Sequence, residues 1–138
     1  MKKDNIKILI MDGAMGTELI RRGVELPLPI WSGDANHTHP ETVYQIHRDN
    51  VDAGADILTT NTFRTTPRAY KKLGLSNKEA EILANASLNN AIKIAQEVAF
   101  KKVKVLGSIA PLEDCYTPEL FPGTKCAQKE FSQIAKWF

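Results

Sequence analysis

The run Ile8-Leu9-Ile10-Met11 stops abruptly at Asp12, and a glycine-bracketed turn, Gly13-Ala14-Met15-Gly16-Thr17, leads on into helix-forming residues. A strand that feeds such a turn delivers Asp12 to the carboxyl end of a sheet, where open α/β sheets and (β/α)8 barrels assemble their chemistry. Gly13 and Gly16 carry no Cβ, so the backbone there can come close to a small ligand. The same residues also make a plain strand cap and tight turn. What favours a ligand is a second strand end of similar kind, Asp56-Ile57-Leu58-Thr59-Thr60-Asn61-Thr62-Phe63.

Strand and helix patterns alternate along the chain. A strand is predicted over 7–11 and a helix over 14–22, with Arg21 and Arg22 at its negative end and Gly23 just beyond. Residues 24–39, with Pro27, Pro29 and Gly33, read as a long loop of the kind that carries function. Thr38-His39-Pro40-Glu41 predicts the next helix start, with Thr38 as cap, Glu41 reaching back and Pro40 in the first turn. Val43, Ile46 and Val51 give that helix its apolar spacing, and Gly54 ends it. A strand over 56–60 follows. The capping box Ser76-Asn77-Lys78-Glu79 then opens a long helix with the stripe Leu88, Ile92, Ala95 and Ala99. A strand over 103–106 leads into Gly107-Ser108-Ile109-Ala110-Pro111, a loop to residue 123 and a last helical segment near 128–138.

Strands separated by helices run parallel, so the class is α/β with helices packed outside a parallel sheet. A sheet of so few strands leaves both edges open. The last segment brings Phe131, Ile134, Trp137 and Phe138 with no returning strand to cover them. The expectation is a domain over residues 1–138 cut short at its carboxyl end and prone to associate with itself.

Lys and Arg number 18 against 16 Asp and Glu, spread along the chain, which leaves no electrostatic footprint for nucleic acid or an anionic membrane. No apolar run approaches the roughly 18 residues of a membrane span. The stretch before Asp12 is too short for a signal-peptide core. Cys115 and Cys126 make no disulfide framework, so the expected location is cytoplasmic.

Taken together, Asp12-Gly13-Ala14-Met15-Gly16-Thr17, Ile30-Trp31-Ser32, His47 followed by Ala53-Gly54-Ala55-Asp56, Thr60-Asn61-Thr62-Phe63 and Gly107-Ser108-Ile109-Ala110-Pro111 resemble the homocysteine S-methyltransferase family over about residues 7–123. The resemblance implies the amino-terminal part, about three βα units, of a (β/α)8 TIM barrel. It implies a methyltransferase that moves a methyl group onto homocysteine to form methionine, the sulfur activated as a thiolate by a zinc ion on three cysteines. It assigns Asp12 to the substrate amino group, the Gly13 N–H to the substrate carboxylate and Thr60 to a place beside that carboxylate. It places the zinc cysteines in the later half of the barrel, so no metal ligand and no catalytic residue is assigned here, and the methyl donor stays open.

Cys115 and Cys126 stand outside the family's metal motifs and read as free thiols. His37 and His39 suggest a metal pair, but Thr38 and Pro40 between and after them fit a helix start better. His47 reads as a packing or solvated residue, Trp31 as a plug over the barrel end, and Glu113 and Asp114 as solvated loop acids near the site mouth. An alternative from another class is a non-catalytic module that docks its open edge on a complementary partial barrel. A third, a phosphate site at residues 13–17, lacks the glycine spacing of a dinucleotide or P-loop fingerprint.

Overall fold

A computed structural model describes residues 8–112 and 117–136. Helix α1, Met15–Arg21, leaves the first turn, and Gly23 follows it at φ 82°, a conformation that glycine adopts without strain. Glu18 receives the guanidinium groups of Arg21 and Arg22, and these hydrogen bonds hold its carboxyl at about 2. Arg22 also reaches Asp49 on the next long helix at 2.5 Å.

The stretch over 24–39 is not simply loop. A 3-10 turn, Trp31–Asp34, runs directly into α2, Ala35–Thr38. This corrects the expected cap: the Thr38 hydroxyl donates back to Asp34 O at 3.1 Å, so it is spent inside α2. Helix α3, Pro40–Asp52, starts instead at His39 with no side-chain cap, and Pro40 fills the first position, where no N–H is needed.

Strands β1, Ile57–Thr59, and β2, Lys104–Leu106, pair in parallel with Leu58 opposite Val105. The strand expected over 7–11 shrinks, among its described residues, to a parallel bridge between Met11 and Ile57. Ile57 N donates to Ile10 O at 3.1 Å and Asp12 N to Ile57 O at 3.0 Å. These bonds suffice to bring Asp12 level with the end of β1.

Between β1 and β2 lie α4, Pro67–Lys71, and α5, Asn77–Ala99. The short α4 was not anticipated, although Thr66-Pro67 is a start signal: the Thr66 hydroxyl accepts from Ala69 N, and Pro67 sits in the first turn. The capping box of α5 forms as expected, with Glu79 N donating to Ser76 Oγ at 3.3 Å and Ser76 N to the Glu79 carboxylate at 3.0 Å. A further 3-10 turn, Pro118–Leu120, precedes α6, Thr124–Ile134, which begins earlier than the predicted 128.

The core lies between the sheet and the helices α3 and α5. Leu19, Val43, Ile46 and Ile94 form one cluster, and Leu58, Val98 and Ala99 another. The alanines Ala80, Ala84, Ala91 and Ala95 are buried along α5, where their small side chains admit the neighbouring helices closely. No helix among the described residues is long and apolar enough to cross a membrane.

A buried polar network then fastens the 3-10 turn and α2 to the end of β1. Asn36 Nδ2 donates to Asn61 O at 2.9 Å and to Ser87 Oγ at 3.0 Å. Asn61 Nδ2 donates to Ser32 O at 2.7 Å and to Asn36 Oδ1 at 2.9 Å, and Ser87 Oγ donates to Gly33 O at 2.8 Å. Every amide hydrogen of the two asparagines is used.

Two stability changes are expected in denaturant titrations. Ser76→Ala removes one exposed cap and costs about 1 kcal/mol. Asn36→Leu strands the amide of Asn61 away from water and costs roughly 3 kcal/mol. Equal losses for the two would show that the network is no stronger than a surface cap.

Candidate functional site

A cleft of about 600 Å3 opens at the carboxyl ends of the strands. The turn 12–17 forms one wall, Leu28, Trp31 and Ser32 the rim, and Thr59, Thr60, Asn61, Phe63, Arg64 and Ser108 the remainder. The strands deliver the floor, and the asparagine network holds the rim against it.

Asp12, Gly13 and Thr60, the residues assigned to substrate binding by resemblance, all line this cleft. The Asp12 side chain is 4% exposed, and its Oδ2 accepts Thr59 N at 2.8 Å, which fixes the carboxylate at the end of the strand. Behind it lies His47, with Nδ1 at 3.9 Å from Asp12 Oδ2. Its imidazole is fully buried, and neither ring nitrogen has a hydrogen-bond partner. Burial pushes its pKa below the ordinary 6.5 against the opposing pull of the Asp12 charge, so the ring is neutral at physiological pH.

The Gly13 N–H points to Asn50 Oδ1 at 3.3 Å, and Asn50 is anchored in turn on Ile46 O. Thr60 is buried; its N–H donates to Leu106 O at 2.8 Å and its hydroxyl pairs with Thr62 Oγ1 at 2.8 Å. Thr62 Oγ1 also meets Ser108 O and Ser108 N, which stitches the segment after β2 to the segment after β1. Gly16 is needed for a close approach, but what approaches is Trp31: a Cβ at Gly16 would lie 2.6 Å from the indole Nε1. Trp31 is half-buried at φ 55° and forms part of the cleft wall.

The remaining candidates lie apart. His39 bonds the neighbouring Thr38 hydroxyl, and His37 faces Leu83 O and Asn90. Cys126 is a free thiol in α6. Glu113, Asp114 and Cys115 lie outside the described residues. Among the described residues no three His, Cys, Asp or Glu side chains converge, so the donors present do not fit a three-thiolate zinc site. Sequence reasoning missed the structural parts played by Asn36 and Ser87; of the two readings of His47, packing or solvated, the structure shows the buried one. The one signal available was a polar residue set among the apolar spacings of a helix, as His47 is beside Ile46.

Residues 9–138 match the homocysteine S-methyltransferase family. The chain is 30% identical over 105 residues to homocysteine S-methyltransferase 2 of Arabidopsis thaliana, covering 76% of this chain and 30% of that protein. It is 35% identical over 94 residues to homocysteine S-methyltransferase YbgG of Bacillus subtilis, with 68% and 30% covered. The metallated form of the homocysteine methyltransferase MmuM from Escherichia coli superposes with a TM-score of 0.62 at 31% identity, covering 78% of this chain and 39% of that one. The chain thus spans about a third of the length of the curated relatives it matches. The shared fold and the breadth of the family match establish that the chain belongs to the homocysteine S-methyltransferase family.

Proposed function

We propose that the cleft holds the amino-acid end of homocysteine, within a methyltransferase that transfers a methyl group to the homocysteine sulfur. The observation that carries this is the Asp12 carboxylate. It is nearly buried, is oriented by the Thr59 N–H, and has no Lys or Arg partner among the described residues. A carboxylate shielded from water and open to a cleft is best compensated by a cation brought by the ligand, and an α-ammonium supplies a charge-assisted hydrogen bond of the right size. Thr60 and the backbone around Gly13 complete a polar end to the cleft, while Trp31, Phe63 and Leu28 give it an apolar wall suited to a methylene chain. Relatives named as selenocysteine methyltransferases, from Astragalus bisulcatus and Brassica oleracea, fit the same recognition of an amino acid with a soft nucleophile.

In the reaction the sulfur electron pair forms the new S–CH3 bond as the donor–CH3 bond breaks and its electrons leave with the donor. A metal-bound thiolate would supply the nucleophile at neutral pH, since a free thiol, with a pKa of about 8.5, is mostly protonated there. The described residues supply no such donor set, so their part is to bind and orient.

We read the parallel order of the first segment, β1 and β2 as the opening units of a (β/α)8 barrel over residues 1–138. This is supported by the superposition on MmuM. On this reading the exposed Ile8, Ile10 and Met11 at one edge, and Leu106 at the other, are surfaces that further strands cover, in the same chain or a complementary one.

Asp12→Asn keeps the shape of the site and removes the charge. Calorimetric titration should show L-homocysteine binding weakened at least about tenfold, the scale of a lost charge-assisted contact. Unchanged affinity would show that the amino group does not sit at Asp12.

A further inference from the structure

Of the three histidines in the chain, His47 alone is sealed from water, and the reading above gives it no task. A buried imidazole must keep one N–H in either neutral form, and a buried donor without an acceptor is strongly disfavoured. The charged group facing it is Asp12. The other charges on the elements packed around α3 are engaged or solvated: Glu18 and Asp49 are held by arginines, and the charged residues of α5 are exposed. The Nδ1 to Oδ2 separation of 3.9 Å exceeds a hydrogen bond by about 1 Å, a gap that a small rotation of either side chain closes. Such contacts commonly tighten once a ligand is in place.

We propose that His47 is the positioning residue of the Asp12 carboxylate, its neutral Nδ1–H donating to Oδ2 from behind as a ligand ammonium binds from the cleft. The proposal rests on the amino-acid reading of the cleft for the ligand, while the tautomer it requires belongs to the protein alone. Neutrality is central. A cationic imidazole would cancel the carboxylate charge, whereas a neutral donor orients the group and leaves the pair at one negative charge, still attractive to an ammonium. The desolvation that keeps His47 neutral therefore works in favour of binding.

The test has two arms on the full chain. In the first, long-range 15N–1H correlation spectra at neutral pH should show His47 as the Nδ1–H tautomer; the Nε2–H tautomer would overturn the proposal. In the second, L-homocysteine and its des-amino analogue are titrated against wild type, His47→Leu and His47→Asn, whose amide nitrogen stands where Nδ1 did. His47→Leu should weaken L-homocysteine about tenfold and leave the analogue unchanged, and His47→Asn should recover most of the loss. Equal weakening of both ligands in His47→Leu, or no recovery in His47→Asn, would reduce His47 to a packing residue. A wild-type chain that does not prefer homocysteine to the analogue would refute the amino-acid reading of the cleft, and the tautomer would then decide the proposal about His47 on its own.

Discussion

Two buried amide side chains, Asn36 and Asn61, must place their N–H hydrogens inside the protein, and they place them in each other, in Ser87 and in the backbone around them. That requirement joins three separate parts of the chain: the helical stretch after Trp31, the end of β1 and, through Ser87, the middle of α5. With strands of only three residues, the sheet itself offers little to define a cleft. The polar network and the Thr60–Thr62–Ser108 hydroxyl chain supply what the ladder lacks. A network with stranded donors would be worse than an apolar filling; one in which every amide hydrogen is used favours a single arrangement.

The electrostatics of the cleft follow the same logic. Arg21 and Arg22 are committed to Glu18, and Arg22 to Asp49, on the outer face of α1 and α3, where solvent screens them. Asp12 stands apart from that cluster, with a backbone N–H and a neutral imidazole for company. Charge is neutralised where it serves only solubility and left uncompensated where a ligand can meet it.

Much of the outline was legible because it depends on local rules. Ser76 and Glu79 satisfy each other within one turn, Gly23 ends α1 in a conformation suited to glycine, and the parallel pairing follows from helices between strands. The errors lie where tertiary packing decides. Pro40 does open α3, but Thr38 is not its cap: residues 31–38 are themselves helical, and the threonine hydroxyl is already taken by Asp34 O. Among its described residues the first strand is only a bridge, and the apolar run that suggested a buried strand leaves Ile8, Ile10 and Met11 exposed. Asp12, Gly13 and Thr60, singled out by the resemblance, stand at strand ends and line the cleft. The parts played by Asn36 and Ser87 were not legible, since a polar residue inside a helix declares its partner only once the helices are packed. The direction of the Gly13 N–H toward Asn50 was likewise out of reach, because it depends on a helix face far away in sequence.

The network grips its neighbours largely by main-chain carbonyls: those of Ser32, Gly33 and Asn61 receive its hydrogens. A carbonyl oxygen is the same whatever side chain its residue carries. The rim can therefore exchange the groups it shows to a ligand while its anchorage stays in place, and Leu28, Phe63 and Thr59 are unencumbered by that anchorage. Such separation of fastening from display lets the surface of the cleft vary without first losing its shape. The exception is the Gly16–Trp31 contact, where side chain meets backbone so closely that neither residue can change alone.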